Sequence, residues 1–287
     1  MTQKIVLITG TNSGFGWLTA KSVAALGHKV YATMRDTNGK NSDKAKELSA
    51  VDNITVVDVA LTNEANVQKV FGEIIAKEGR IDVLVNNAGY GAVGVTESFT
   101  TRDVQDMLDM HVVAYWRLMK LALPHMRKQG EGLIVNVSSG AGRLSFPFMA
   151  VYSAAKFGLE GLSEGLHYEV KSLGIDVTVV EPGAFPTDIL GKVQAGSDPG
   201  VNDGYGSLLQ IPGQMGAGLA QLFETVKPNP QDVADAIVDL INTPKGQRPL
   251  RTVVDPATGH LVKASNDAVQ IQHQTMLGAF GLGDLLN

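Results

Sequence analysis

The sequence predicts an α/β fold: a doubly wound, parallel seven-stranded sheet with helices on both faces. Three observations carry this expectation. Short apolar runs recur along the chain and alternate with longer amphipathic stretches. Those runs are apolar throughout rather than at every second residue, the pattern of strands covered on both sides. A glycine-rich turn, TGTNSGFG at 9–16, stands directly after the first run.

KIVLI at 4–8 is the first strand, and the segment from Gly14 to about Leu26 is a helix. HKVYATM at 28–34 and NITVVDV at 53–59 are the second and third strands, followed by a helix from Glu64 to about Lys77. IDVLVNN at 81–87 is the fourth strand, and a long helix follows from about Asp103 to Lys128. GLIVNVS at 132–138 is the fifth strand, Val151–Ser172 is helical, and GIDVTVVEP at 174–182 is the sixth strand. Repetition of strand, helix and strand implies right-handed crossovers. Residues 184–227 hold many glycines, with Pro186, Pro199 and Pro212, and read as a mobile lid with a short helix or two. PNPQDVADAIVDLIN at 228–242 is a helix with Asn229 or Pro230 near its start, and LRTVVD at 250–255 is the seventh strand. The tail at 260–287 carries a helix over about 265–277, expected to pack on the lid or on another subunit. The whole of 1–287 reads as one domain.

Composition narrows the function. Hydrophobic residues are 44% and charged residues 18%, which fits a soluble protein with a large core. The net charge of -5, with no basic block, argues against nucleic acid as a partner. There is no cysteine, so disulfides, thiolate zinc sites and cysteine nucleophiles are excluded, and no metal site is expected. The apolar run before Gly10 is too short for a secretory signal, and no segment has the ~18 apolar residues of a membrane span. A cytoplasmic protein without a membrane partner is expected.

In the turn, Gly10 permits a tight bend, Gly14 allows close backbone approach to a phosphate, and Gly16 lets helix and strand pack closely. The helix N-terminus beyond it offers unpaired amides and partial positive charge to a pyrophosphate. Tyr152 and Lys156 sit at i and i+4, on one face of a helix. An ammonium near a phenol favours the phenolate, so the tyrosine is expected to have a lowered pKa and to exchange a proton with an alcohol or ketone oxygen. Ser138 and Ser139 close the fifth strand, on the carboxyl edge where ligands bind in such sheets.

The turn spacing TGxxxGxG, the NNAG at 86–89, Ser139 and the YxxxK at 152–156 together resemble the short-chain dehydrogenase/reductase family, over essentially the whole chain. VYATMRD, PFMAVYSAAKFGLEGLSEGL and PLRTVVD resemble its hydroxysteroid dehydrogenase-like branch. The resemblance implies a Rossmann-type domain and NAD(P)-dependent interconversion of an alcohol and a carbonyl compound. It implies Ser139, Tyr152 and Lys156 as the catalytic three, with Ser139 favoured over Ser138 by its spacing to Tyr152. It places Asn12, Ser13 and Phe15 in the phosphate turn, and Asp58 and Val59 around the adenine. Asn86, Ala88 and Gly89 fall by the ribose, Pro182 and Gly183 by the nicotinamide, and Thr187 on its carboxamide or a phosphate. Asp58 could instead be only a helix cap, and Asn86 and Asn87 could mainly tie strands together. One position departs from the family: His111 stands where most members carry a relay asparagine, and is expected to make turnover pH-sensitive below neutrality.

After the second strand come Met34 and Arg35 where an NAD site usually has an acid. A guanidinium grips a 2′-phosphate, so NADP(H) is the expected cofactor; NAD(H) is the alternative, with Asp36 in the acidic role. Phe146, Phe148, Phe185, Leu190 and Met215 are the expected lining of an apolar pocket for a hydrophobic ketone or alcohol. A non-catalytic nucleotide sensor is the rival reading. The resemblance also implies a homodimer or homotetramer built on helices 103–128 and 151–172.

Overall fold

A computed structural model describes residues 2–286. Seven strands form one parallel sheet: β1 (Ile5–Thr9), β2 (Lys29–Met34), β3 (Ile54–Asp58), β4 (Val83–Asn86), β5 (Gly132–Val137), β6 (Ile175–Pro182) and β7 (Arg251–Val254). Their order is β3-β2-β1-β4-β5-β6-β7. The chain therefore starts in the middle, winds outward to β3, and crosses to β4 on the other side of β1. The point where winding reverses lies between β1 and β4, and the carboxyl ends there open a crevice suited to a ligand.

The strands are buried on both faces, as their continuous apolar runs require. Successive side chains take opposite sides. Leu7, Leu84 and Ile134 join α3 (Glu64–Glu78), α5 (Ala114–Gln129) and α6 (Ala150–Val170) in one layer. Val6, Ile8, Val85 and Val135 join α1 (Gly14–Ala25), α2 (Ser42–Ser49) and α8 (Gln231–Asn242) in the other. Helix ends follow local chemistry. Asn63 caps α3 by accepting from the Asn66 amide at 3.0 Å, and Gly79, at φ 71°, ends it. Thr100 and Asp103 form a reciprocal capping box on α4 (Thr101–Leu108).

Four elements differ from the sequence expectation. α2 was not expected: SDKAKELS is too polar and short to show a helical stripe, and only Ala45 and Leu48 are buried from it. The single long helix expected at 103–128 is α4 and α5 joined by one π-helical turn, Asp109–Val113. The lid holds a longer helix than expected, α7 (Ile211–Val226). The tail helix, α9 (Gly259–Ala279), is longer than 265–277 and packs on the body of the fold. Asn266 donates to Glu181 at 2.6 Å and accepts from Arg143 at 2.7 Å, and His273 meets Glu164. Among the described residues no helix is long and apolar enough to cross a membrane.

That docking of α9 closes over a buried charge cluster. Glu181 and Glu160 are 0% and 1% exposed, with Arg251 Nε 3.6 Å from the first and 3.0 Å from the second. Arg251 also meets Glu164 at 2.5 Å. Three carboxylates thus share one guanidinium. Burial, and then the charge of Glu160, push the Glu181 carboxyl up to about 8. A folded pKa above the unfolded value means that folding retains a proton. The stability Glu181 contributes is full below about pH 4.5 and is lost as pH rises through about 8. Thermal melts from about pH 5 to about pH 9 should therefore fall more steeply for the wild type than for Glu181→Gln, by roughly 5 °C over the range. Parallel curves for the two proteins would show that Glu181 keeps no proton in the fold.

Candidate active site at the carboxyl edge of the sheet

The glycine turn is shaped by close approach. Gly10, at φ 70°, faces the Ala88 Cα, which a Cβ would meet at 2.6 Å. Gly14, at φ 55°, faces Thr187, and a Cβ on Gly16 would strike the Gly10 carbonyl oxygen. Side chains at these points would fill the cradle, so the turn fits a dinucleotide phosphate group. α1 starts at Gly14 with no acidic residue in its first turn and no side-chain cap from Ser13, leaving its positive end facing the crevice. Asn12 donates to Asn41 at 3.3 Å, and Phe15 packs edge-on against Phe185 with centroids 5.5 Å apart.

At the end of β2, Arg35 is exposed. Asp36 is exposed beside it. Its carboxylate turns back to accept from the Lys40 amide at 2.8 Å and lies under Gly39. Asp58 accepts from the Asp36 and Thr37 amides at 3.1 and 2.7 Å, so it holds the loop that carries Arg35. Val59, expected beside the adenine, is instead 6% exposed in the core layer with Leu7 and Tyr31.

Between the two halves of the sheet, Asn86 is fully buried and donates to Asn136 at 2.8 Å, which in turn donates to Ser163 at 2.8 Å. Its side chain therefore ties β4 to β5 and does not reach the crevice. Asn87 donates to the carbonyls of Thr9 and Gly10 at 2.8 and 3.2 Å. Ala88 lines the glycine turn, and Gly89 makes room for His111, whose ring a Cβ there would strike. Pro182 ends β6, the Gly183 amide donates to Val254 at 2.9 Å, and Thr187 stands over Gly14.

Ser139, Tyr152 and Lys156 come together beside this turn. Ser139 lies beside the Tyr152 hydroxyl, its own hydroxyl accepting from the Ala141 amide at 3.1 Å, and Lys156 Nζ lies 5.8 Å from the Tyr152 ring centre. Ser138 points away: its hydroxyl is buried under Gly142, where a Cβ would meet it at 2.6 Å. Lys156 donates to the Val137 carbonyl at 2.9 Å. The lowered tyrosine pKa expected from the sequence is not found. Burial pushes Tyr152 up to about 12, with the neighbouring Ser139 acting the other way. Burial also pulls Lys156 down to about 7, against the field of Glu160.

His111 sits in the π-helical turn, 1% exposed, its ring edge-on to Tyr152 with centroids 5.7 Å apart. Nε2 lies 2.9 Å from the Tyr90 carbonyl, and Nδ1 is buried without a protein partner among the described residues. Burial, and then the Lys156 charge, hold its pKa well below the ordinary histidine value. That direction runs against the sensitivity to pH just below neutrality expected from the sequence. The sequence reading missed Tyr115, which is fully buried on the next turn, donates to the Ala88 carbonyl at 2.9 Å, and lies 5.9 Å from Lys156 Nζ. It also missed Asp103, which receives Ser197 Oγ at 2.6 Å and Gln194 Nε2 at 3.2 Å and so anchors the lid.

Of the expected pocket lining, Phe185 is core, 3% exposed against Phe15. Phe146 and Leu190 are open to solvent at 49% and 46%, and Phe148 and Met215 are half-buried. A cavity of about 140 Å³ lined by His167, Asp176, Arg248 and Gln270 lies at the opposite, amino edge of the sheet and takes no part in this site.

The family profile described as short chain dehydrogenase matches residues 4–198. A 3-ketodihydrosphingosine reductase of Bacteroides thetaiotaomicron is 38% identical over 205 residues, covering 71% of this chain and 72% of the relative. Retinol dehydrogenase 8 of Homo sapiens is 35% identical over 252 residues, covering 84% and 78%. A crystal structure of a short-chain dehydrogenase from Streptomyces avermitilis superimposes with a TM-score of 0.79 at 32% identity, covering 98% of both chains. With the nucleotide turn, the serine, the tyrosine and the lysine in one crevice, the chain belongs to the short-chain dehydrogenase family and is an oxidoreductase of nicotinamide dinucleotides.

Proposed function

We propose that this protein is an NADP(H)-preferring carbonyl reductase or alcohol dehydrogenase that interconverts a hydrophobic ketone and its secondary alcohol. The observation that carries the reading is the convergence of Ser139, Tyr152 and Lys156 at the carboxyl edge next to the glycine turn, with Lys156 Nζ 5.8 Å from the Tyr152 ring centre. When bound, the nicotinamide supplies or accepts a hydride at C4. Ser139 holds the substrate oxygen. Tyr152 gives that oxygen its proton in reduction and takes it back in oxidation. Its raised pKa keeps the hydroxyl protonated at neutral pH, the form that reduction needs. Lys156 holds the nicotinamide ribose and, when charged, steadies the phenolate. His111 packs against the tyrosine ring and contributes no charge.

The NADP preference is supported by the exposed Arg35 and by Asp36 and Asp58, whose carboxylates are engaged by the amides of Lys40, Asp36 and Thr37. The substrate class is supported by the apolar residues at the lid and by relatives named for a keto-lipid and for retinol. Val113, Trp116 and Phe157 expose apolar surface at 39%, 38% and 44% on the helices proposed to pair protomers in a homodimer or homotetramer.

Initial rates of NADPH oxidation with a panel of hydrophobic ketones test the chemistry. Tyr152→Phe should lower kcat by roughly 100-fold or more while NADPH affinity holds. Retained turnover in that variant would remove Tyr152 as the acid. Arg35→Ala should weaken NADPH binding about tenfold and leave NADH binding unchanged; an equal loss for both would place Arg35 elsewhere than the 2′-phosphate. For His111→Asn, the pH–rate profile between about pH 6 and about pH 8 should keep its shape. A shifted limb in that window would mean that the imidazole does titrate during turnover.

A further inference from the structure

A strap of chain crosses the mouth of the glycine turn and is fixed at both ends. At one end Thr187 lies over Gly14, where a Cβ would come 3.5 Å from the threonine Cβ. At the other, the Gln194 amide donates to Gly91 at 2.8 Å, its carbonyl accepts from Val93 at 3.0 Å, and its side chain reaches Asp103. Between them a 3-10 turn, Asp188–Lys192, brings Lys192 back to the first helix. Its ammonium donates to Ser13 Oγ at 2.9 Å, across 179 residues of sequence.

A cation does not gain from this position in isolation. Ser13 is the residue before α1, whose first turn holds no acid, so Lys192 faces the positive end of a helix dipole. An anion between the two would satisfy both. The turn itself brings no cation, since residues 11–13 are Thr, Asn and Ser, and Arg35 lies beyond the end of β2.

We propose that Lys192 is a pyrophosphate-binding residue: its ammonium meets a pyrophosphate oxygen of the bound dinucleotide and holds the strap 187–194 closed over it. This deepens the reading of the cofactor site given above, but it is independent of the choice between NADPH and NADH, because both carry the pyrophosphate. The strap must lift for the dinucleotide to leave, so the contact acts on dissociation more than on association.

Titration of the purified full-length protein with NADPH and with NADH, followed by calorimetry, tests this on wild type, Lys192→Met, Lys192→Arg and Arg35→Ala. Lys192→Met should raise Kd for both dinucleotides by a similar factor, roughly five- to twentyfold, as expected for loss of a charge-assisted hydrogen bond to phosphate. Its Kd should also depend less steeply on salt, and stopped-flow release should speed up by a comparable factor. Lys192→Arg should recover most of the affinity, which separates charge from packing. Unchanged Kd for both dinucleotides in Lys192→Met would overturn the proposal. So would a loss confined to NADPH, which would move Lys192 to the 2′-phosphate. Failure of the NADP preference has a different signature: equal wild-type Kd values for NADPH and NADH, with the Lys192 effect intact. Lys192 is exposed, so the unfolding temperature of the variants without dinucleotide should match the wild type.

Discussion

The site depends on one cross-link at the reversal of the sheet. Thr9 ends β1, and its hydroxyl accepts from the amides of Asn87 and Ala88 at 2.8 and 3.0 Å. The Asn87 side chain returns the bond to the Thr9 carbonyl at 2.8 Å. Parallel strands that wind in opposite directions leave their carboxyl ends free to part. These bonds hold them together. They press Ala88 against Gly10, which only a glycine tolerates, and the Ala88 carbonyl then receives the Tyr115 hydroxyl. The next residue, Gly89, backs the His111 ring, and that ring backs Tyr152. A contact between two strand ends thus sets both the glycine turn and the orientation of the Tyr152 phenol.

Burial is the dominant force on the titrating groups around that phenol. Tyr152 and Lys156 are both withdrawn from water, and each is pushed toward its neutral form, the phenol up to about 12 and the amine down to about 7. The two shifts share a physical origin, since a low-dielectric surrounding penalises either charge. Glu160 stands one helical turn beyond Lys156 and opposes the shift of the amine. Glu160 in turn is paired with Arg251, which also answers Glu164 and Glu181. The lysine therefore draws part of its basicity from a charge cluster that α9 seals. Removing α9 would admit water to that cluster and so alter the lysine.

Much of this was legible in the sequence, for reasons particular to each feature. Strands such as KIVLI and GLIVNV are apolar on both sides, so their periodicity names them without tertiary information. The glycine spacing and the YxxxK step reflect backbone and helix geometry that no packing can override. Failures arose where long-range contacts decide. α2 has almost no apolar stripe and forms because Ala45 and Leu48 find the core. Val59 directly follows β3 and Phe185 lies in the loop beyond β6, and both side chains went to the core. The π-helical turn at His111 leaves no local signature in DMHVV. Lys192 and Asp103 are ordinary surface types until the fold brings the lid and the first helix to them.

The lid has two mechanical parts, and their difference bears on function. Its base, 194–198, is held by backbone pairing to Gly91 and Val93 and by the carboxylate of Asp103, whose donors, Ser197 first, pull its pKa down to about 2. That carboxylate stays charged across all physiological pH, so the base does not loosen with acidity. Beyond it, α7 buries none of its residues, although Ile211, Met215, Leu219, Leu222 and Val226 form one half-covered apolar stripe. A helix with a stripe and little core behind it belongs to the low-stability end of a protein's opening motions. The stripe costs free energy while it faces water and recovers it against an apolar ligand. An apolar ligand of the kind proposed above would draw α7 down by its own burial, while the base stays held at Asp103.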